Sequence, residues 1–76
     1  MSDPRRYVIL IGRTPDGGFG AWVPDLPGCI ALGDTVEDTE REMREAIAFH
    51  LEGLRSDGEP VPEPSTLSTV IEIPAA

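Results

Sequence analysis

Asp16, Asp25, Asp34 and Asp57 each stand beside a glycine or a proline. Carboxylates that converge can hold two Mg²⁺ ions and hydrolyse a phosphodiester, as in a ribonuclease-H-type site. A second arrangement to weigh is Cys29 as thiolate nucleophile with His50 as its base. Each residue also has a plainer role. Asp16 precedes Gly17-Gly18, Asp25 lies in a Pro-Asp-Leu-Pro turn, Asp34 stands at a helix start and Asp57 precedes Gly58, all positions where aspartate stabilises turns and caps. Cys29 has no basic neighbour and no helix N-terminus directly after it, so it reads as a small buried hydrophobe, and His50 reads as a half-buried structural histidine. A nuclease using Asp16, Asp25 or Asp34 is the enzymatic alternative; the residues favour no enzyme, no metal and no cofactor.

The elements that would position these groups are legible. Tyr7 to Ile11 is an apolar, β-branched run that predicts β1, ended by the turn cluster Thr14-Pro15-Asp16-Gly17-Gly18. Phe19 to Val23 predicts β2, with Phe19, Ala21 and Val23 on one face and Trp22 on the other; Pro24 stops it. After the turn Asp25-Leu26-Pro27-Gly28, Cys29 to Leu32 predicts a short β3. Thr35 or Asp34 then caps a helix from Val36 to about Ser56, along which Val36, Met43, Ile47, Leu51 and Leu54 form one stripe. Gly58 suits the left-handed position that ends it. A proline-stiffened connector follows, and Thr66 to Ile73 predicts β4. The order β-β-β-α-β with a right-handed crossover predicts a two-layer α+β sandwich of sheet order 3-2-1-4.

One helix covers one face of a sheet, yet β1 is apolar on both. Val8, Leu10, Trp22 and either Ile30 or Leu32 are therefore expected to form an uncovered patch of a few hundred Å², roughly the size that marks an interaction site on a small protein. Phe49 faces away from the helix stripe and adds a second exposed aromatic. Val8, Leu10, Trp22 and Phe49 are the expected contacts with a partner or with a second copy.

Composition narrows the classes further. Fourteen carboxylates against six basic residues, all arginine, leave a net charge of -8, which repels phosphate backbones and suits a basic protein partner instead. One cysteine and one histidine allow neither a disulfide framework nor a zinc cluster. No leader or long apolar segment is read, so a cytoplasmic protein with no membrane contact is expected. The 76 residues are read as one domain, with 1–5 flexible. A chain of this size buries only about 60% of its unfolded surface, so association would strengthen it.

Three ordered motifs carry a family resemblance: Gly17-Gly18-Phe19, Val23-Pro24-Asp25-Leu26-Pro27-Gly28-Cys29 and Gly33-Asp34-Thr35. With Glu45-Ala46-Ile47, His50-Leu51-Glu52, Asp57-Gly58-Glu59-Pro60-Val61-Pro62 and Pro64-Ser65, the chain from Tyr7 onward resembles the HicB-like antitoxins of toxin–antitoxin systems. The resemblance implies a partial ribonuclease-H-like β-β-β-α-β fold. It also implies a partner, a small basic HicA-type toxin that cleaves mRNA and is neutralised when its surface is covered. Stand-alone members of the family form dimers or tetramers, so self-association is expected as well. Two features depart from the family pattern. The sequence carries no helix-turn-helix or ribbon-helix-helix segment after β4, so direct nucleic-acid binding is not expected. Thr39 stands where alanine is more usual, a poorer helix former but harmless on a capped first turn.

Overall fold

The computed structural model describes residues 5–75. Three short strands, β1 (Leu10–Arg13), β2 (Phe19–Trp22) and β3 (Ile30–Gly33), are followed by one helix, α1 (Val36–Ser56). The sheet is antiparallel throughout in the order β1-β2-β3, and α1 packs on β3 and β2, giving an α+β domain of two layers. The segment expected to be flexible, 1–5, lies outside the described residues except for Arg5, which pairs with Glu63 at 3.0 Å.

The strands are shifted or shortened relative to the apolar runs that predict them, and the turns explain why. Leu10 pairs with Trp22, so Ile9 and Val8 fall opposite Val23 and Pro24. The Val23 carbonyl is already taken by the Leu26 N–H at 3.1 Å, and Pro24 has no N–H to offer. Pairing therefore stops at Leu10, and Tyr7 to Ile9 continue as an extended leader that packs on the core. Cys29 likewise gives its N–H to Leu26 at 3.1 Å, so β3 begins one residue later than expected. These two bonds make the Pro-Asp-Leu-Pro stretch a pair of consecutive turns that share Leu26. Each has proline at its second position, and Gly28 at φ 86° supplies the left-handed third position of the latter.

The core is thin, as the length dictates. Ala21, Val23, Leu26, Cys29 and Met43 are buried, with Ile11, Ala31, Ala46, Ile47 and Leu51 packed around them. Leu26 and Met43 are completely enclosed, and burial of side chains of that size stabilises by about 1.5–3 kcal/mol each. Of the predicted helix stripe, Met43, Ile47 and Leu51 reach this core, Leu54 is half-buried and Val36 is exposed. Thr35 is the N-cap: its hydroxyl accepts the Asp38 N–H at 3.0 Å. Gly58, at φ 71°, follows the last turn and stops the helix as expected.

One predicted element does not form. Thr66 to Ile73 makes no strand pairing, so among the described residues the sheet has three strands and the fourth of the order 3-2-1-4 is not in place. The connector explains this. The Tyr7 hydroxyl donates to the Pro62 carbonyl at 2.5 Å, and Ser65 and Thr66 are then held by Asp25, beyond the end of the central strand. The chain is thus led away from the free edge of β1 before a strand could begin.

Candidate functional site

The strand register builds an apolar surface on the sheet face turned away from α1. Leu10, Trp22 and Ile30 stand in one cross-strand row, and Gly12, Gly20 and Leu32 in the next but one. The intervening row, Ile11-Ala21-Ala31, points to the helix, because successive side chains alternate across a sheet. Trp22 is 47% exposed, Ile30 67% and Leu32 69%, with Leu10 at 40%. The two glycines shape the patch. A Cβ on Gly12 would meet the Trp22 ring at 3.8 Å and one on Gly20 would meet Leu32 Cδ2 at 3.3 Å, so both large side chains lie down across bare backbone. Between them runs a shallow groove of about 260 Å³. In the following row, which alternates to the other face, the Arg13 guanidinium lies 5.7 Å from the centre of the Phe19 ring.

The structure brings Leu10 and Trp22 together as expected and includes both Ile30 and Leu32, where the sequence left a choice between them. Val8 is half-buried in the leader of β1. Phe49 is 79% exposed on α1, on the opposite side of the two layers, so it belongs to a separate surface. That helical surface is acidic: Glu37, Glu40, Glu45 and Glu52 are all exposed.

Of the four aspartates, Asp16 and Asp25 use their carboxylates to hold local structure. Asp16 accepts hydrogen bonds from the Thr14 hydroxyl and the Gly18 N–H within the first hairpin, in which Gly17 has φ 90°; these donors, the hydroxyl first, hold its carboxyl below the usual range. Asp34 is exposed beside the Thr35 cap, and Asp57 closes the helix by giving its N–H to the Gly53 carbonyl at 3.0 Å. Among the described residues no three side chains of His, Cys, Asp or Glu come together as a metal-binding group. Cys29 is buried in the core, burial raises its thiol pKa, and no hydrogen bond joins it to His50 among the described residues.

Asp25 has a role beyond its turn. Its carboxylate receives the Ser65 and Thr66 N–H groups at 2.9 and 3.1 Å and both hydroxyls at 3.0 and 2.8 Å, tying the turn after β2 to the connector forty residues later. Those donors, the backbone N–H groups first, lower its pKa to about 2. The sequence signal was present in Pro64-Ser65-Thr66, but nothing local pairs it with Asp25. Gly33 has a similar hidden partner. A Cβ there would lie 2.5 to 2.9 Å from the Oγ1, N and Cα of Thr39, which is fully buried and donates its hydroxyl to the Thr35 carbonyl at 2.7 Å. Thr39 is thus part of the helix–sheet junction, which corrects the reading of it as an incidental first-turn residue.

The molecule is thus a two-layer α+β domain with an apolar outer sheet face that the described residues leave uncovered and exposed glutamates on its helix. The model of the HicB-like antitoxin of bacterial toxin–antitoxin systems matches residues 7–75, and the chain belongs to that family. The family is one of antitoxins, non-enzymatic protein-binding components of those systems. A protein of the rep-hol intergenic region of Haemophilus phage HP1 is 38% identical over 90% of this chain, and a UPF0150 protein of Synechocystis is 39% identical over 75% of it. The chain spans 50% of the phage protein's length and 72% of the Synechocystis protein's. Two solved structures share the fold at 38% identity. The N-terminal domain of Burkholderia pseudomallei antitoxin HicB superposes with a TM-score of 0.66 over 80% of this chain and 69% of its own. A chain of the HicA3 and HicB3 toxin–antitoxin complex superposes with 0.68 over 79% and 69%. No described helix is long and apolar enough to cross a membrane.

Proposed function

We propose that the domain neutralises a small basic toxin of the HicA type by covering its RNA-binding surface, and associates with itself through the outer face of its sheet. The observation that carries the first part is the likeness to a chain of a HicA3–HicB3 complex, joined to a net charge of -8. The exposed glutamates of α1, with Phe49 among them, offer the surface a cationic toxin would meet, and such complementarity governs encounter and orientation. The patch of Leu10, Trp22 and Ile30, bordered by Val8, is left for self-association into a dimer or tetramer. We read the three strands as the 3-2-1 part of the order 3-2-1-4 in a partial ribonuclease-H-like fold, acting in the cytoplasm.

The test is to co-express the chain with any small basic reading frame found beside its gene. Co-purification of the two chains and loss of mRNA cleavage in the complex support the reading. A basic neighbour that neither binds this chain nor is inhibited by it overturns it. A second reading, a stand-alone homo-oligomer with another partner, is favoured by the exposed apolar row of Leu10, Trp22 and Ile30. It predicts an oligomer in the absence of any toxin and no copurifying basic chain.

A further inference from the structure

Residues 67–75 are exposed throughout, and their aliphatic side chains are bare: Leu67 is 94% exposed, Val70 95%, Ile71 75% and Ile73 77%. Leu67, Thr69, Ile71 and Ile73 alternate with Ser68, Val70 and Glu72, the pattern of a strand with one apolar face. No backbone ladder engages this stretch among the described residues. The radius of gyration is 14.6 Å against roughly 11 Å for a compact chain of this length, and the long axis reaches 50 Å.

The same molecule has a place that lacks a strand. β1 forms one edge of the sheet, and among the described residues no strand pairs with its outer N–H and C=O groups. Beside it, between its leader and α1, lies a groove of about 440 Å³ lined by the half-buried Tyr7, Ile9 and Ile47 and the exposed Arg5, Arg6 and Arg44, with Glu40 among them. The leader and β1 together run from Tyr7 to Arg13, about 23 Å of extended chain, against about 26 Å for residues 66–73. The chain's own tail starts in the wrong place to fill it, because Asp25 fixes Ser65 and Thr66 past the end of β2, one strand inward from that edge.

From this we infer that residues 66–73 of one copy add as a fourth strand to the free edge of β1 in a second copy, and that the exchange is reciprocal about a two-fold axis. The inference rests on the self-association proposed above and names the segment that carries it. Leu67, Ile71 and Ile73 enter the groove over Ile9 and Ile47, and Val70 extends the outer row of Leu10 and Trp22. Arg6 and Arg44 offer the groove's cationic groups to Glu72 of the entering segment, Arg5 being already paired with Glu63. Strand addition of this kind satisfies the unpaired edge, which otherwise invites promiscuous pairing.

The test uses the full chain. In a dimer formed from isotopically labelled and unlabelled copies, filtered NOEs are expected from the methyl groups of Leu67, Ile71 and Ile73 to Tyr7, Ile9 and Ile47 of the other copy. The double variant Ile71→Asp/Ile73→Asp, altered only at exposed positions, should lower the light-scattering mass by at least half. Its Ala21 and Met43 amides should keep their exchange protection. An unchanged mass in that variant, or NOEs that are absent or confined to one copy, overturns the exchange. If the mass falls in Trp22→Glu but not in the double variant, self-association through the sheet face stands and the exchange does not. A wild-type chain that is monomeric at NMR concentrations overturns both.

Discussion

At the scale of single residues, Asp25 and Gly33 decide more than their turn chemistry suggests. The Asp25 carboxyl has a pKa lowered from 3.8 to about 2 by donors present only in the folded chain. Its contribution to stability is therefore complete above the unfolded value and is lost as pH falls through about 2. The amide shifts of Ser65 and Thr66 should hold steady down to about pH 3 and then move together with the Asp25 carboxyl. In Asp25→Asn their amide exchange should quicken at neutral pH while that of β2 is unchanged. Gly33→Ala should destabilise by about 1–3 kcal/mol in urea denaturation, the usual range for overpacking. Adding Thr39→Ala should not restore stability, because two of the three clashing atoms, N and Cα at 2.7 and 2.9 Å, belong to the Thr39 backbone. The glycine and its neighbours were recognisable as a motif. That the motif serves a close crossing of helix and strand was not, since the threonine it accommodates is six residues away on another element.

At the scale of elements, α1 is the most local structure in the chain and the most legible. Its bounds follow from the Thr35 cap, the apolar stripe and Gly58. The capping box forms only by half: Thr35 accepts the Asp38 N–H, while the Asp38 carboxylate turns to Arg41 at 2.7 Å, whose hydrogen bond is the main reason its pKa is lowered. Thr35→Ala should therefore cost about 1 kcal/mol, read as a lower midpoint in thermal unfolding followed by circular dichroism. The strands were legible as runs but not in their limits. Tyr7, Val8 and Ile9 have the composition of a strand, and what ends the ladder before them is the Val23 carbonyl and Pro24, just past the end of β2. Leu26, hidden between two turn prolines, is fully buried because the double turn folds it beneath the sheet. A turn-rich stretch gives no sign of that from composition.

At the scale of the whole molecule, the question is what covers the sheet's outer face. A thin core on one side and a row of Leu10, Trp22 and Ile30 on the other make association an energetic expectation for a chain this small. Trp22→Glu should reduce the mass of the oligomer in light scattering, since a charge in a desolvated contact costs on the order of several kcal/mol when unpaired. Phe49→Glu, on the other side of the two layers, should leave that mass unchanged and weaken toxin capture instead. If both variants alter the mass alike, the assignment of separate faces to the two partners is wrong.

The sequence by itself determined the turns, the helix with its cap and stop, the alternation that puts Trp22 opposite Ala21, and the acidic charge. These depend on backbone preferences and side-chain periods within a few residues. Only the tertiary structure decided where the ladders end, that Leu26 and Thr39 are core, that Asp25 anchors Ser65 and Thr66, and that residues 66–73 find no place on their own sheet. Each of those outcomes rests on groups distant in sequence competing for the same carbonyl, the same space or the same hydrogen bonds. The competition over FGAWVPDLPGCIALGDT is the clearest case: its composition predicts turns, and its fold makes it the point from which the C-terminal segment leaves the domain.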